Sequence, residues 1–456
     1  MKRTLITAAS ASALLVALAV VPPAYADVPA PATTTPAAST TLTGRAADIA
    51  VSADGSTAYV SHYEDGRVDV VDLATHSVAS TLNLAVGRED NLRYQALFVR
   101  LSADGSLLYV FGNLGGGYFA VVDTTTLAVT SEHFDVDAYP LDLVVNPAGG
   151  DVYVLNDYGA GIDSYDPVTL QPVGSVAIPG GGTPGHPDIP TTGTVSPDGA
   201  TLYVAQVGTS ASIVKYDIAS ASVIGEASGG STYNLSLSRD GSLLLDRMQG
   251  GLILLDPADL HAISTPTVPQ WPADSAFSPD STEITSVGWD PVGEQTPVAY
   301  VIDTDSGQVL SQFSVEGWAP SHVAYRPDGL ELLVSSQSTL LFFRSAIIGE
   351  TDAPQATVGE HYAFDPALAN TTSSEVTGGS LPPGLSLQHG VITGTPTEAG
   401  TFTATLSAHG LFGPAATADV TVVVQAAAEH HPPFVSIVLG ILRAIWAWLH
   451  GHHPGA

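Results

Sequence analysis

The chain has 456 residues, with 13 Lys+Arg against 45 Asp+Glu and a formal net charge of −32. That balance excludes a nucleic-acid binder, which needs a basic face to displace counterions, and it argues against electrostatic docking on anionic lipid. The absence of cysteine excludes disulfides, thiolate metal sites, iron–sulfur clusters, covalent c-type haem and a thiol nucleophile.

Residues 1–26 read as a secretory signal. Lys2 and Arg3 open it, an apolar run from Ala11 to Val21 follows, and Ala24-Tyr25-Ala26 is a small-x-small cleavage site. Cleavage there would take the charge to −34, since both removed charges are positive. The sequence therefore predicts a secreted or cell-surface protein. Residues 27–41 are Pro, Ala and Thr without apolar periodicity, a linker that cannot repay its own ordering entropy.

An internal repeat follows. Turn dipeptides stand at Asp54-Gly55, Asp104-Gly105, Ala148-Gly149, Asp198-Gly199, Asp240-Gly241, Asp280-Ser281 and Asp328-Gly329, a mean period of about 46 residues. Each lies between two β-rich runs, as in Leu97–Leu101 and Leu107–Val110, because glycine accepts the positive φ of a tight hairpin. A third run closes on an acid (Asp72, Asp123, Asp166, Asp217, Asp256, Asp303), read as a turn cap, and most units add a fourth run, such as Gln308 to Val315. Leu244 and Leu333 are read as taking the place of the tyrosine found at 59, 109, 153 and 203. Four strands per repeat, seven times, predict a seven-bladed β-propeller over 42–348. The last unit lacks a fourth strand, and Ser39 to Thr43 is expected to supply it, removing an exposed edge.

Units such as LSADGSLLYVFGNLGGGYFAVVDTTTLAV resemble the YVTN-type seven-bladed β-propeller repeat family. The resemblance implies an exported or surface-exposed binding protein; some sequence-related propellers are lactonases and others are domains of redox enzymes.

Function is expected on the face carrying the longer loops. The residues singled out there as ligand-binding candidates are His62, Tyr63, Asp65, Arg88, Arg93, Tyr94, Asp157, Tyr158, His186, Trp289, Trp318 and His322. Aromatic groups beside acids and amides suit a protein or glycan ligand. A hydrolase of lactonase type is the alternative, with a metal or acid–base site drawn from His62, Glu64, Asp142, His186, Asp188 and His322. None of these falls in a known catalytic spacing, and strand-start positions show no repeating acid or histidine. No catalytic residue, metal ligand or cofactor is assigned.

Residues 354–425 change grammar to short alternating runs split by Gly and Pro. The GGSLPPGLSL, ITGTPTEAG and TF segments resemble the immunoglobulin-like domain of bacterial surface proteins, which implies a small β-sandwich serving as a spacer or adhesive module. Residues 426–456 form a His-flanked tail. Its 434–449 segment is apolar with Trp446 and Trp448 near its end, and is expected to be a short helix for membrane contact or self-association. The fold class is thus all-β: the propeller closed by an N-terminal strand, a small sandwich and a short C-terminal apolar helix.

Overall fold

The structure is a computed structural model that describes residues 35–84, 95–113, 117–136, 140–156, 161–177, 189–207, 212–228, 230, 232–248, 250–268, 271–289, 296–317, 319–428 and 433–450. These residues form seven four-stranded sheets around an axis. Blade 1, for example, pairs Ala46–Val51, Thr57–His62, Arg67–Asp72 and Ser77–Asn83 in sequence, all antiparallel. The first strand of each blade packs against the first strands of its neighbours, and that of blade 7 packs against that of blade 1, so the ring is closed. Closure is completed by Ala38–Thr41, which pairs antiparallel with Thr339–Arg344 as the outer strand of blade 7. The strand begins inside the segment read as linker. Its pairing with a buried neighbour is what orders so polar a sequence.

Local chemistry sets the repeat. In five of the seven hairpin turns a serine donates to the turn acid and accepts from the strand beyond it: Ser52 Oγ lies 2.6 Å from Asp54 Oδ1, and Thr57 N donates to Ser52 Oγ at 2.9 Å. The closing acids cap the next turn, as expected. Asp123 Oδ1 accepts from Thr126 N at 2.7 Å and Thr126 Oγ1 at 2.7 Å. Four residues past each closing acid the backbone turns to positive φ, at His76, Leu127, Leu170, Ala221, Leu260 and Gly307. Five of these six are not glycine, a strain held by the surrounding caps and packing.

Between blades the core is apolar. Val68 and Val70 of blade 1 pack on Val99, Leu108 and Val110 of blade 2, and comparable clusters fill the other seams. The repeated tyrosines Tyr59, Tyr109, Tyr153 and Tyr203 are buried. In blade 5 the register puts Leu245, not Leu244, at the tyrosine's place: Leu245 faces Ser236 and Leu254 as Tyr59 faces Ala50 and Val70.

The Ig-like module follows blade 7 directly. One sheet joins Ala356–Thr357, Ala416–Gln425, Gly400–His409 and Ser373–Gly379, and a second joins Tyr362–Phe364, Val391–Gly394 and Leu385–Gln388. It is docked rather than tethered. Phe412, 2% exposed, enters the core of blades 6 and 7, with ring centroids 6.0 Å from Tyr325 and 6.5 Å from Phe313. Gly413 N donates to Glu283 Oε2 at 2.8 Å, and Asn370 Nδ2 donates to Ser345 O at 3.3 Å. Gly413 sits at φ 76°, and a Cβ there would lie 2.7 Å from Gly329 O, so the close approach to the blade 7 turn requires glycine. The helix Pro433–His450 exposes Ile437, Leu442, Trp446 and Trp448 to solvent. No helix among the described residues is long and apolar enough to cross a membrane.

Candidate functional site

The first strand of every blade carries a β-bulge at one place: the ladder skips a residue before Asp48, Phe98, Asp142, Thr192, Asn234, Asp274 and His322. A bulge re-aims the side chain that follows it. Each of these seven residues precedes its turn position (54, 104, 148, 198, 240, 280, 328) by the same interval, so strand starts do repeat an acid or histidine in four of seven blades. Counting back from the turn acid, rather than forward from the strand start, would have found them.

These residues form a belt around the channel. Asp48 Oδ2 accepts from Val99 N at 3.1 Å, Asp142 Oδ2 from Gly193 N at 3.1 Å, Thr192 Oγ1 from Leu235 N at 3.3 Å, and Asp274 Oδ2 from Val323 N at 3.1 Å. In each case the belt residue of one blade accepts from the backbone just past the belt residue of the next. Arg100 spans Asp48 and Asp142, donating from Nη1 to the first and lying 3.3 Å by Nη2 from the second. Thr192 Oγ1 also donates to Asp142 Oδ2 at 2.9 Å. Burial pushes the Asp142 carboxyl up, offset in part by Arg100 and the N–H donors. Burial acts upward on Asp274 too, but His322 and Arg247 hold it below the usual carboxylate range. The belt acids are therefore occupied as blade-to-blade staples.

At the loop-rich end the channel opens into a cleft of about 360 Å³ between blades 1, 2 and 7. Arg45, Tyr63, Leu97, Phe98, His322 and Gln337 line it, with alanines between. Arg45 lies over the Tyr63 ring at 4.3 Å from its centroid, and Tyr63 is 44% exposed. The His322 ring faces an acid of blade 6: Nδ1 is 3.6 Å from Asp274 Oδ2. Burial lowers the affinity of that ring for a proton, but Asp274 outweighs it and the net effect is upward. The cleft thus unites two of the residues singled out from sequence, Tyr63 and His322, and adds Arg45, which lies outside any long loop and was missed.

The other described candidates lie elsewhere. His62 is fully buried, with Nε2 3.0 Å from Asp69 Oδ2, and cannot touch a ligand directly. Asp69 also accepts from Thr43 N, Thr43 Oγ1 and Thr81 Oγ1, each at 2.7 Å. Burial opposes its ionisation, yet these donors hold its pKa down to about 2. The cluster braces the chain where it leaves the closing strand. Asp65 is paired with Arg67 at 2.6 Å. Trp289 faces Trp271 across blade 6, and Trp271 is 59% exposed, giving the loop-rich side an aromatic edge. Arg88, Arg93, Tyr94, Asp157, Tyr158, His186 and Trp318 lie outside the described residues. Among the described residues one trio, Asp256, Asp259 and His261, brings potential metal-ligand atoms within 4.8 Å of one another. It is largely exposed, and Asp256 and Asp259 both accept from backbone N–H groups of their own turn.

Two comparisons define the class of architecture. Residues 346–425 match the family described as Putative Ig domain. The fold is similar to the β-propeller domain of Cps50 (Swd1) from Myceliophteria thermophila, at a TM-score of 0.55 and 14% identity, over 67% of this chain and 99% of that one. No curated protein matches the chain. The protein is thus a β-propeller carrying an Ig-like domain.

Proposed function

We propose that this is an exported, non-enzymatic binding protein of the YVTN-type propeller kind, which recognises a protein or glycan ligand with its loop-rich face. The observation that carries this reading is the division of labour around the channel. The belt acids that a hydrolase would need are engaged in backbone hydrogen bonds between blades, whereas Arg45, Tyr63 and Trp271 stand exposed on the loop-rich side. A rigid scaffold loses little entropy when such preset groups bind. The docked Ig-like module supports a role at the cell surface, and the exposed apolar helix Pro433–His450 supports contact with a membrane or a second copy.

The test is a glycan and protein-partner array probed with the full chain, since removal of residues beyond 348 would uncover Phe313, Tyr325 and Phe343. Binding that is lost in a Tyr63→Ala, Trp271→Ala double variant supports the reading. Binding indifferent to both changes contradicts it.

One observation favours a lactonase-type hydrolase as second reading: Asp274 orients His322 beside the cleft, as a carboxylate orients a general base. Turnover of simple lactones or aryl esters that disappears in His322→Gln would establish that reading instead.

A further inference from the structure

The cleft at the channel mouth is out of character with the rest of the molecule. The chain holds 45 acidic residues, yet no acid lines the cleft, while Arg45 and His322 do. Arg45 is exposed and makes no ion pair among the described residues. Its guanidinium is already positioned by the Tyr63 face at 4.3 Å, so little side-chain freedom is left to lose on binding. The His322 ring lies beside Asp274, with Nδ1 3.6 Å from Oδ2, and the His322 backbone is held by its N–H, which donates to Ser335 Oγ at 3.1 Å. The charged groups that act on it are Asp274 from blade 6, Asp48 from blade 1 and Arg100 from blade 2. The remaining wall is mostly apolar, built from Leu97, Phe98 and the alanines 46, 47 and 319, with Ser321 and Gln337 as its two neutral polar residues.

A cation with fork geometry beside an apolar floor is the arrangement that recognises a carboxylate joined to a flat apolar body. We propose, resting on the binding-protein reading above, that this cleft takes a compact aromatic or apolar carboxylic acid, with Arg45 and His322 facing the carboxylate and Leu97 and Phe98 facing the body. Such a group has two sources, a free small acid or the C-terminal residue of a peptide. The volume of about 360 Å³ admits one ring or one residue and not an extended polymer.

The experiment is calorimetric titration of the full chain with phenylacetate, phenylacetamide, and a Gly-Gly-Phe peptide with its C-terminus either free or amidated. Binding of the free acids with at least about ten-fold preference over their amides is expected, as loss of one charge-assisted pair dictates. Arg45→Gln should remove that preference. Arg239→Gln, the same charge change at the opposite mouth of the channel, should keep it. Tighter binding of phenylacetate than of the free peptide assigns a small-molecule source, and the reverse order assigns a chain terminus. Amides bound as tightly as acids, a preference that survives Arg45→Gln, or no binding of any probe at millimolar concentration would overturn the proposal. If the array ligand still depends on Tyr63 and Trp271 in that event, the binding-protein reading stands and only the acid chemistry falls.

Discussion

Asp246 offers a sharp test of how this propeller is held together. It lies in the second strand of blade 5, at the place filled by Val60, Val110, Val154, Val204 and Val334 in five other blades, and it is 1% exposed. Its Oδ1 has no partner among the described residues, and burial raises its pKa from 3.8 to about 6. An acid whose folded pKa is raised destabilises the fold once the pH exceeds the unfolded value. The penalty is absent below pH 3.8, grows between 3.8 and about 6, and is complete above. A gap of about two pH units, at roughly 1.4 kcal/mol each, gives a penalty of about 3 kcal/mol at pH 8, of which about half is present at pH 5. Asp246→Val restores the residue of those five blades and costs about 1 kcal/mol by leaving the Thr232 hydroxyl without its acceptor. The variant should therefore be more stable than the parent by about 2 kcal/mol at pH 8, and the difference should shrink by about 1.5 kcal/mol at pH 5. Urea midpoints followed by tryptophan fluorescence at the two pH values measure both quantities. Parallel pH dependences, or a variant weaker than the parent at pH 8, would refute the reasoning.

Other expectations follow from the same structure. Asp142→Ala removes a carboxylate that accepts from Thr192 and Gly193 beside Arg100, and should cost about 3–5 kcal/mol in urea unfolding because Arg100 loses one of its two acids. Phe412→Ala should cost about 3–5 kcal/mol and loosen the Ig-like module, seen as a larger radius of gyration in X-ray scattering. Asp69, held at a pKa of about 2, stabilises the fold above pH 3.8, and that contribution should fade as the pH falls through 2. Thr81→Val, which removes one of its donors, should therefore lower the urea midpoint at pH 7 and narrow its deficit toward pH 3. Ala221→Gly relieves a φ of 48° on an exposed turn and should stabilise by up to about 1 kcal/mol, measured as a small rise in Tm.

The blade count and the closing strand were legible because the turn chemistry is local: a serine, an acid and a glycine at fixed offsets specify the hairpin wherever they occur. The Ig-like strands were legible where apolar residues alternate, as in Phe402 to Leu406, and missed at Ser373–Gly379, a polar, largely exposed edge strand formed by its neighbour rather than by its own pattern. Asp142 and His322 were singled out individually, but the belt was missed as a repeat because a bulge shifts its residues off the strand period, so Asp48, Asp142, Asp274 and His322 fall out of step when strands are read by alternation. His62 carried a loop signature yet is buried, since the loop begins one residue later at Tyr63. The docking of Phe412 leaves no trace in the sequence, because its partners Phe313, Tyr325 and Phe343 are distant in the chain and ordinary for a core.

The central claim is that the loop-rich mouth, not the hairpin-turn end, is the working surface. Hydroxyl-radical footprinting of the full chain, alone and with the ligand recovered from the array, tests it by mass spectrometry of side-chain oxidation at tyrosine, tryptophan, proline and arginine. Protection of Tyr63 and Trp271, with Pro279, Pro327 and Arg239 at the other mouth unchanged, is the predicted pattern. Protection confined to the hairpin-turn end would contradict it.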